Sequence, residues 1–201
     1  YHDGTQEVVG TTFIDDCQWD RRSEYTLSPG VGYSASGGYY TIAETNAYMR
    51  TKTVYEPNGE FRVVYSMSKI DYNGFCFEVC GLEFCHVGIS GVGTIYGNRT
   101  LLGPVLMTAD FTSHQVLEMR VLPLTANTAI LTVVDYATGN IINRATVSLG
   151  TNFENDTVGA GTRGYQSVKV YGIQIIAASS DASNGIAACI PPIGGGARYG
   201  V

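Results

Sequence analysis

Charge is what this chain has least of. Only 15% of its 201 residues are Asp, Glu, Lys or Arg, against roughly 25% in an average globular protein. Its basic residues form no cluster, so the electrostatic footprint of a nucleic-acid binder is missing. No apolar run approaches the ~18 residues that would span a bilayer as a helix, and membrane insertion is not expected. Histidine is sparse and scattered, at His2, His86 and His114. His86 follows Cys85, but without a second spaced pair this is no zinc signal. No serine stands in a Gly-x-Ser-x-Gly setting, so a nucleophile elbow is absent. Helical spacing of apolar residues is missing too, because the dominant period is two.

What the chain has in quantity is glycine (25 residues) and tyrosine (14). Turn formers and strand formers with few charges describe an all-β protein. With 44% hydrophobic residues, disorder is excluded for the bulk of the chain. Its length permits a full core without metal, and no cofactor or metal is expected. The net charge of -6 is mild and spread out. Although no signal peptide stands at Tyr1, five cysteines and two N-x-S/T sequons, at Asn98 and Asn155, point to a mature extracellular glycoprotein, secreted or at the cell surface.

Alternation predicts strands at residues 39–42, 48–55, 61–67, 75–79, 82–85, 114–124, 129–135, 141–149 and 165–178, eleven or twelve strands in all. Pro57-Asn58-Gly59 reads as a hairpin cue, and residues 150–164 read as a Gly-rich loop. The most legible part is the hairpin around Gly81. Pairing Val79 with Leu82 sets Phe77 opposite Phe84, Cys76 opposite Cys85, and Glu78 opposite Glu83. One face is then wholly apolar, and a one-residue slip would bury the glutamates. No linker precedes Ser179, so residues 1–178 read as one sandwich domain and 179–201 as an extended Gly/Pro-containing tail. In that tail Ile186, Ile190, Pro191, Pro192 and Ile193 make an apolar, non-helical segment that something should cover.

From 114 to 178 the chain resembles the second half of the concanavalin A-like lectin/glucanase jelly rolls, which include laminin-G-like modules. The residues that carry the likeness are a long strand, residues 114–121, an alternating return strand, Ile130-Leu131-Thr132-Val133-Val134-Asp135, and a Thr-Gly turn. Residues 168–175 would lie beside the first strand of the domain. Phe13-Ile14-Asp15-Asp16, Trp19 and residues 38–42 fit the same pattern. The resemblance implies a two-sheet antiparallel jelly-roll sandwich. That fold hosts lectins, glycosidases, lyases and scaffolds, so it does not settle function. The glucanases of the group place acids as Glu-x-Asp-x-x-Glu or Glu-x-Asp-x-Glu on one strand, and no such string occurs here.

Candidate chemistry is therefore thin, and no catalytic residue is assigned. Glu78 and Glu83 are the best carboxylate pair; two carboxyls about 5 Å apart can serve a retaining glycosidase, but two solvated glutamates flanking a disulfide are the simpler expectation. Asp15-Asp16 and Asp71-Tyr72-Asn73 could donate oxygens to calcium, although turn capping is the commoner use of such residues. Tyr33, Tyr39, Tyr40, Tyr48, Tyr55 and Trp19 could stack on sugars, or simply suit strands. Disulfides are expected at Cys76–Cys85 and Cys17–Cys189, with Cys80 unpaired or joined to another molecule; Cys80–Cys85 is the local alternative.

On these grounds the first expectation is a non-catalytic extracellular structural glycoprotein. It would self-assemble into a filament or coat of identical subunits through its terminal segment, and carry N-glycans at Asn98 and Asn155. The alternative is a carbohydrate-binding, lectin-like module with polysaccharide as its partner. An enzyme acting on polysaccharide ranks third.

Overall fold

The computed structural model describes residues 12–69, 74–97, 104–163 and 167–177. In chain order the strands are β1 (Thr12–Asp15), β2 (Tyr25–Leu27), β3 (Val31–Ser34), β4 (Tyr39–Ile42), β5 (Tyr48–Thr51), β6 (Glu60–Ser66), β7 (Gly74–Val79), β8 (Leu82–Ile89), β9 (Val92–Gly97), β10 (Val105–Thr108), β11 (Leu117–Thr125), β12 (Thr128–Asp135), β13 (Ile141–Ser148), β14 (Val158–Thr162) and β15 (Val168–Ile176). Among the described residues the one helical element is a 3-10 turn at Arg22–Glu24.

Two antiparallel sheets form a jelly-roll sandwich. The eight-stranded sheet runs β13-β12-β11-β6-β15-β4-β3, with β1 also paired to β15; the seven-stranded sheet runs β10-β9-β8-β7-β14-β5-β2. As expected, the last strand lies beside the first, with Phe13 opposite Ile175. Alternation builds the core. Phe61, Val63 and Tyr65 of β6, and Leu117, Met119 and Val121 of β11, meet Phe75, Phe77, Val79 and Phe84 of the other sheet. Each such side chain stabilises the fold by roughly 1.5–3 kcal/mol on burial.

Two polar groups are enclosed with their partners. His86 sits between the sheets, with Tyr65 Oη 2.6 Å from its Nδ1 and Ala109 O 2.6 Å from its Nε2. A carbonyl can only accept, so Nε2 carries the proton and Tyr65 donates to Nδ1. Burial lowers the His86 pKa to about 4, and the ring is neutral at pH 7. Asp15 is fully buried and accepts from Tyr25 Oη (2.8 Å), Tyr40 Oη (2.9 Å) and the Cys17 N–H (2.9 Å). Burial, with the Asp15 carboxylate adding to it, pushes both phenols well above their ordinary range. Asp16 accepts from the Gln18 N–H, so both aspartates cap the turn after β1, as the sequence suggested.

Three expectations about elements are corrected. Pro57-Asn58-Gly59 does not close a hairpin: it carries the chain from β5 in one sheet to β6 in the other. Residues 150–164 are not all loop, because they contain β14, which pairs on both sides. The strand expected from 114 begins at Leu117, and His114 adopts a positive φ of 63° in the preceding turn. With the short strands β2, β3 and β10 included, the described residues hold fifteen strands.

The Gly81 hairpin has the expected register, including Glu78 opposite Glu83, and Cys76–Cys85 is a disulfide. Cys80 is a free thiol with no exposed surface, donating to Tyr55 O. Burial pushes its pKa up to about 12, so bonding to another molecule would first require uncovering it. Cys17 is likewise a buried free thiol, donating to Val170 O. Its expected partner Cys189 lies outside the described residues, as do Asn98, Asp71 and the tail residues Ile186, Ile190, Pro191, Pro192 and Ile193. Asn155 is described and exposed.

Candidate functional site

The outer face of the seven-stranded sheet carries the candidate site. Register aligns its outward residues into rows across the strands. One row is Thr26, Arg50, Gly159, Glu78 and Glu83, contributed by β2, β5, β14, β7 and β8. The next is Tyr48, Gly161, Cys76, Cys85 and Tyr96. In both rows the middle strand β14 contributes a glycine, so the sheet has a trough along β14.

The trough needs glycine. A Cβ built at Gly159 would run into Met49 O and lie 2.9 Å from Arg50 Cγ; one at Gly161 would lie 2.9 Å from Ala47 O. Contacts this close to backbone leave no room for a side chain. Because nothing projects from Gly159, the Arg50 side chain crosses β14 and its Nε donates to Glu78 Oε2 at 2.7 Å. On the far wall Arg163 donates to Glu83 Oε2 at 2.5 Å and, through its other amino group, to Asn46 Oδ1 at 3.0 Å. Arg50 also lies over the Tyr48 ring, 4.2 Å from its centroid. A cavity of about 240 Å³ opens between these groups.

The two glutamates are not the solvated pair the sequence suggested. Glu78 is 8% exposed and Glu83 5%. Arginines from β5 and from the end of β14 stand against them in place of water. Buried carboxylates persist only when paired. Beside them Cys76, Cys85 and Val87 form a small apolar cluster joined by Ile89 and Tyr96.

Of the aromatic residues flagged in the sequence, the groove receives Tyr48. Tyr40 and Tyr55 are core residues, Tyr33 donates to Cys17 O, and Tyr39 packs against Tyr171 under Lys169. Trp19 is 78% exposed. Sequence reading missed Arg163, Gly159 and Gly161, although Val158-Gly159-Ala160-Gly161-Thr162 does alternate small with larger residues at period two.

Among the described residues the one group of three metal-capable side chains is Cys76, Glu83 and Cys85. Its two sulfurs are joined in the disulfide and offer no thiolate.

No protein-family model matches this chain, and no curated protein matches its sequence. Solved structures do match. The exoplasmic/lumenal domain of VIP36 in a Ca2+/Man2-bound form shares 8% identity, covering 90% of this chain and 90% of that one, with a TM-score of 0.57. The Crh5 transglycosylase in complex with NAG shares 12% identity over 89% and 87%, with a TM-score of 0.56. Porphyranase B from Zobellia galactanivorans shares 8% identity over 80% and 89%, with a TM-score of 0.53. The chain has the concanavalin A-like jelly-roll fold. At these identities the likeness is one of fold.

Proposed function

We propose that this chain is a carbohydrate-binding jelly-roll module, and that its ligand occupies the trough over β14. The observation that carries the reading is the composition of that trough. Planar guanidinium and carboxylate groups stand beside a tyrosine ring along a strip of bare backbone. Sugar hydroxyls are matched by donors and acceptors of this kind, and an aromatic ring can take a sugar's apolar face. The neighbours support it by their names, since they include a mannose-bound domain and glycan-acting enzymes. Binding is favoured over catalysis because each glutamate is tied to a guanidinium, Glu78 to Arg50 and Glu83 to Arg163, and the acid string of the glucanases does not occur in this chain.

Self-assembly, the first expectation from sequence, rests on tail residues outside the described set, and the comparisons support the carbohydrate reading over it. No helix among the described residues is long and apolar enough to cross a membrane. A secreted or lumenal location is supported by the Cys76–Cys85 disulfide, the exposed sequon at Asn155 and the lumenal neighbour. We place N-glycans at Asn98 and Asn155 on the same grounds.

The test is a glycan array with the full chain, alongside Tyr48→Ala and Glu83→Gln. At least one glycan should bind, and both variants should lose it by about tenfold or more, as removing a charge-assisted hydrogen bond or a stacked ring does. Binding that both variants leave intact refutes the placement in the trough.

A further inference from the structure

Two carboxylates facing each other across neighbouring strands repel unless positive charge stands beside them. In this groove that charge is supplied by side chains. Arg50 reaches Glu78 over Gly159, and Arg163 holds Glu83 and Asn46 with the two arms of one guanidinium. The calcium-bound state in the solved VIP36 domain raises the question whether this groove takes such an ion. Its donor set does not fit one. Calcium requires six to eight hard oxygens. Here an oxygen of Glu78, one of Glu83 and that of Asn46 are held by guanidinium N–H groups. The third side of the Glu83 corner is the Cys76–Cys85 disulfide, whose sulfurs are soft and neutral. A calcium ion would have to displace both arginines from the glutamates they hold.

The charge balance limits the ligand as well. The described lining residues carry two positive charges (Arg50, Arg163) and two negative (Glu78, Glu83), so the groove is neutral. A uronate or sulfate would find no unmatched cation. It could accept from guanidinium N–H groups only by bringing a third negative charge beside two carboxylates that are 5–8% exposed, with no further cation among the described lining residues to offset it. Hydroxyl groups face no such penalty, because they can accept from guanidinium N–H groups and donate to carboxylate oxygens while both ion pairs stay intact.

We propose that the groove binds an uncharged glycan without calcium, the Arg50–Glu78 and Arg163–Glu83 pairs ordering the site as a cation would. This rests on the carbohydrate-binding reading above. The arginine fork is essential to it, since a lysine at 163 cannot bond Glu83 and Asn46 at once in a fixed plane.

The experiment is an array of neutral oligosaccharides (mannose, glucose and galactose series) and acidic ones (uronate and sulfated series). The full chain is read once in calcium buffer and once in excess EDTA. The expected result is binding to neutral glycans that EDTA leaves unchanged, weakened about tenfold or more in Arg163→Met and Arg163→Lys, in line with loss of a charge-assisted pair. Binding that disappears in EDTA, or that is confined to acidic glycans, overturns the inference while sparing the carbohydrate reading. Binding to no glycan in either buffer overturns that reading, and the inference with it. Should the Arg163 variants fail to fold, as judged by their unfolding temperature, the EDTA comparison on the unaltered chain decides alone.

Discussion

Acidification should destabilise this sandwich through His86 before ordinary carboxylates titrate. The ring is enclosed between the sheets, accepting from Tyr65 and donating to Ala109 O, and its pKa falls from an ordinary 6.5 to about 4. In the unfolded chain the imidazole takes a proton below about 6.5; in the folded chain it does so only near 4. The proton therefore favours unfolding throughout that window. The contribution is fully present above about pH 6.5 and is lost as the pH falls towards 4. At about 1.4 kcal/mol per pKa unit the whole loss is about 3 kcal/mol, of which about 2 kcal/mol is gone by about pH 5. That is a large share of a typical total of roughly 5–15 kcal/mol. Urea unfolding at a series of pH values from about 7.5 to about 5 should show the midpoint falling with a constant m-value. His86→Gln, whose amide can accept from Tyr65 and donate to Ala109 O, should be less stable at neutral pH by about 1–3 kcal/mol but should lose most of the slope. His114, the other described histidine, is exposed and serves as a control through His114→Gln, which should keep the slope. An unaltered chain with a flat profile between pH 7 and 5, or a His86→Gln profile as steep as the original, would refute the reasoning.

Gly159→Val should destabilise the fold by about 1–3 kcal/mol or more, as overpacking against fixed backbone does, and should part Arg50 from Glu78; an unchanged unfolding temperature would mean that β14 is not threaded between β5 and β7. Reducing the Cys76–Cys85 bridge, which spans a sequence separation of 9, should cost about 2–3 kcal/mol in the chain-entropy model, measured as a shift in urea midpoint with reductant. Non-reducing peptide mapping that recovered Cys80 joined to Cys85 would overturn that pairing.

Fold class, the antiparallel arrangement and the register of the Gly81 hairpin were legible in the sequence, because each is a local matter. Period-two alternation decides which side chains share a face, and a slip of one residue would have buried Glu78 and Glu83 against phenylalanines. The turn around Asp15 and Asp16 was legible for the same reason, since Asp caps backbone N–H groups close by in the chain. Partnership between distant strands was not. Asn58-Gly59 signals a change of direction, and only packing decided that the chain would leave one sheet for the other. Residues 158–162 looked like a loop because glycine is a poor strand former by itself; their place between β5 and β7 supplies the pairing on both edges that makes them a strand. The candidate site depends on that placement. Arg50 and Glu78 stand 28 residues apart, and Arg163 and Glu83 stand 80 apart. No spacing rule connects them. The tertiary structure brought Arg50 and Glu78 together by laying the glycines of β14 between β5 and β7, so that one side chain could reach across bare backbone, and it set Arg163, just past the end of β14, within reach of Glu83 on β8.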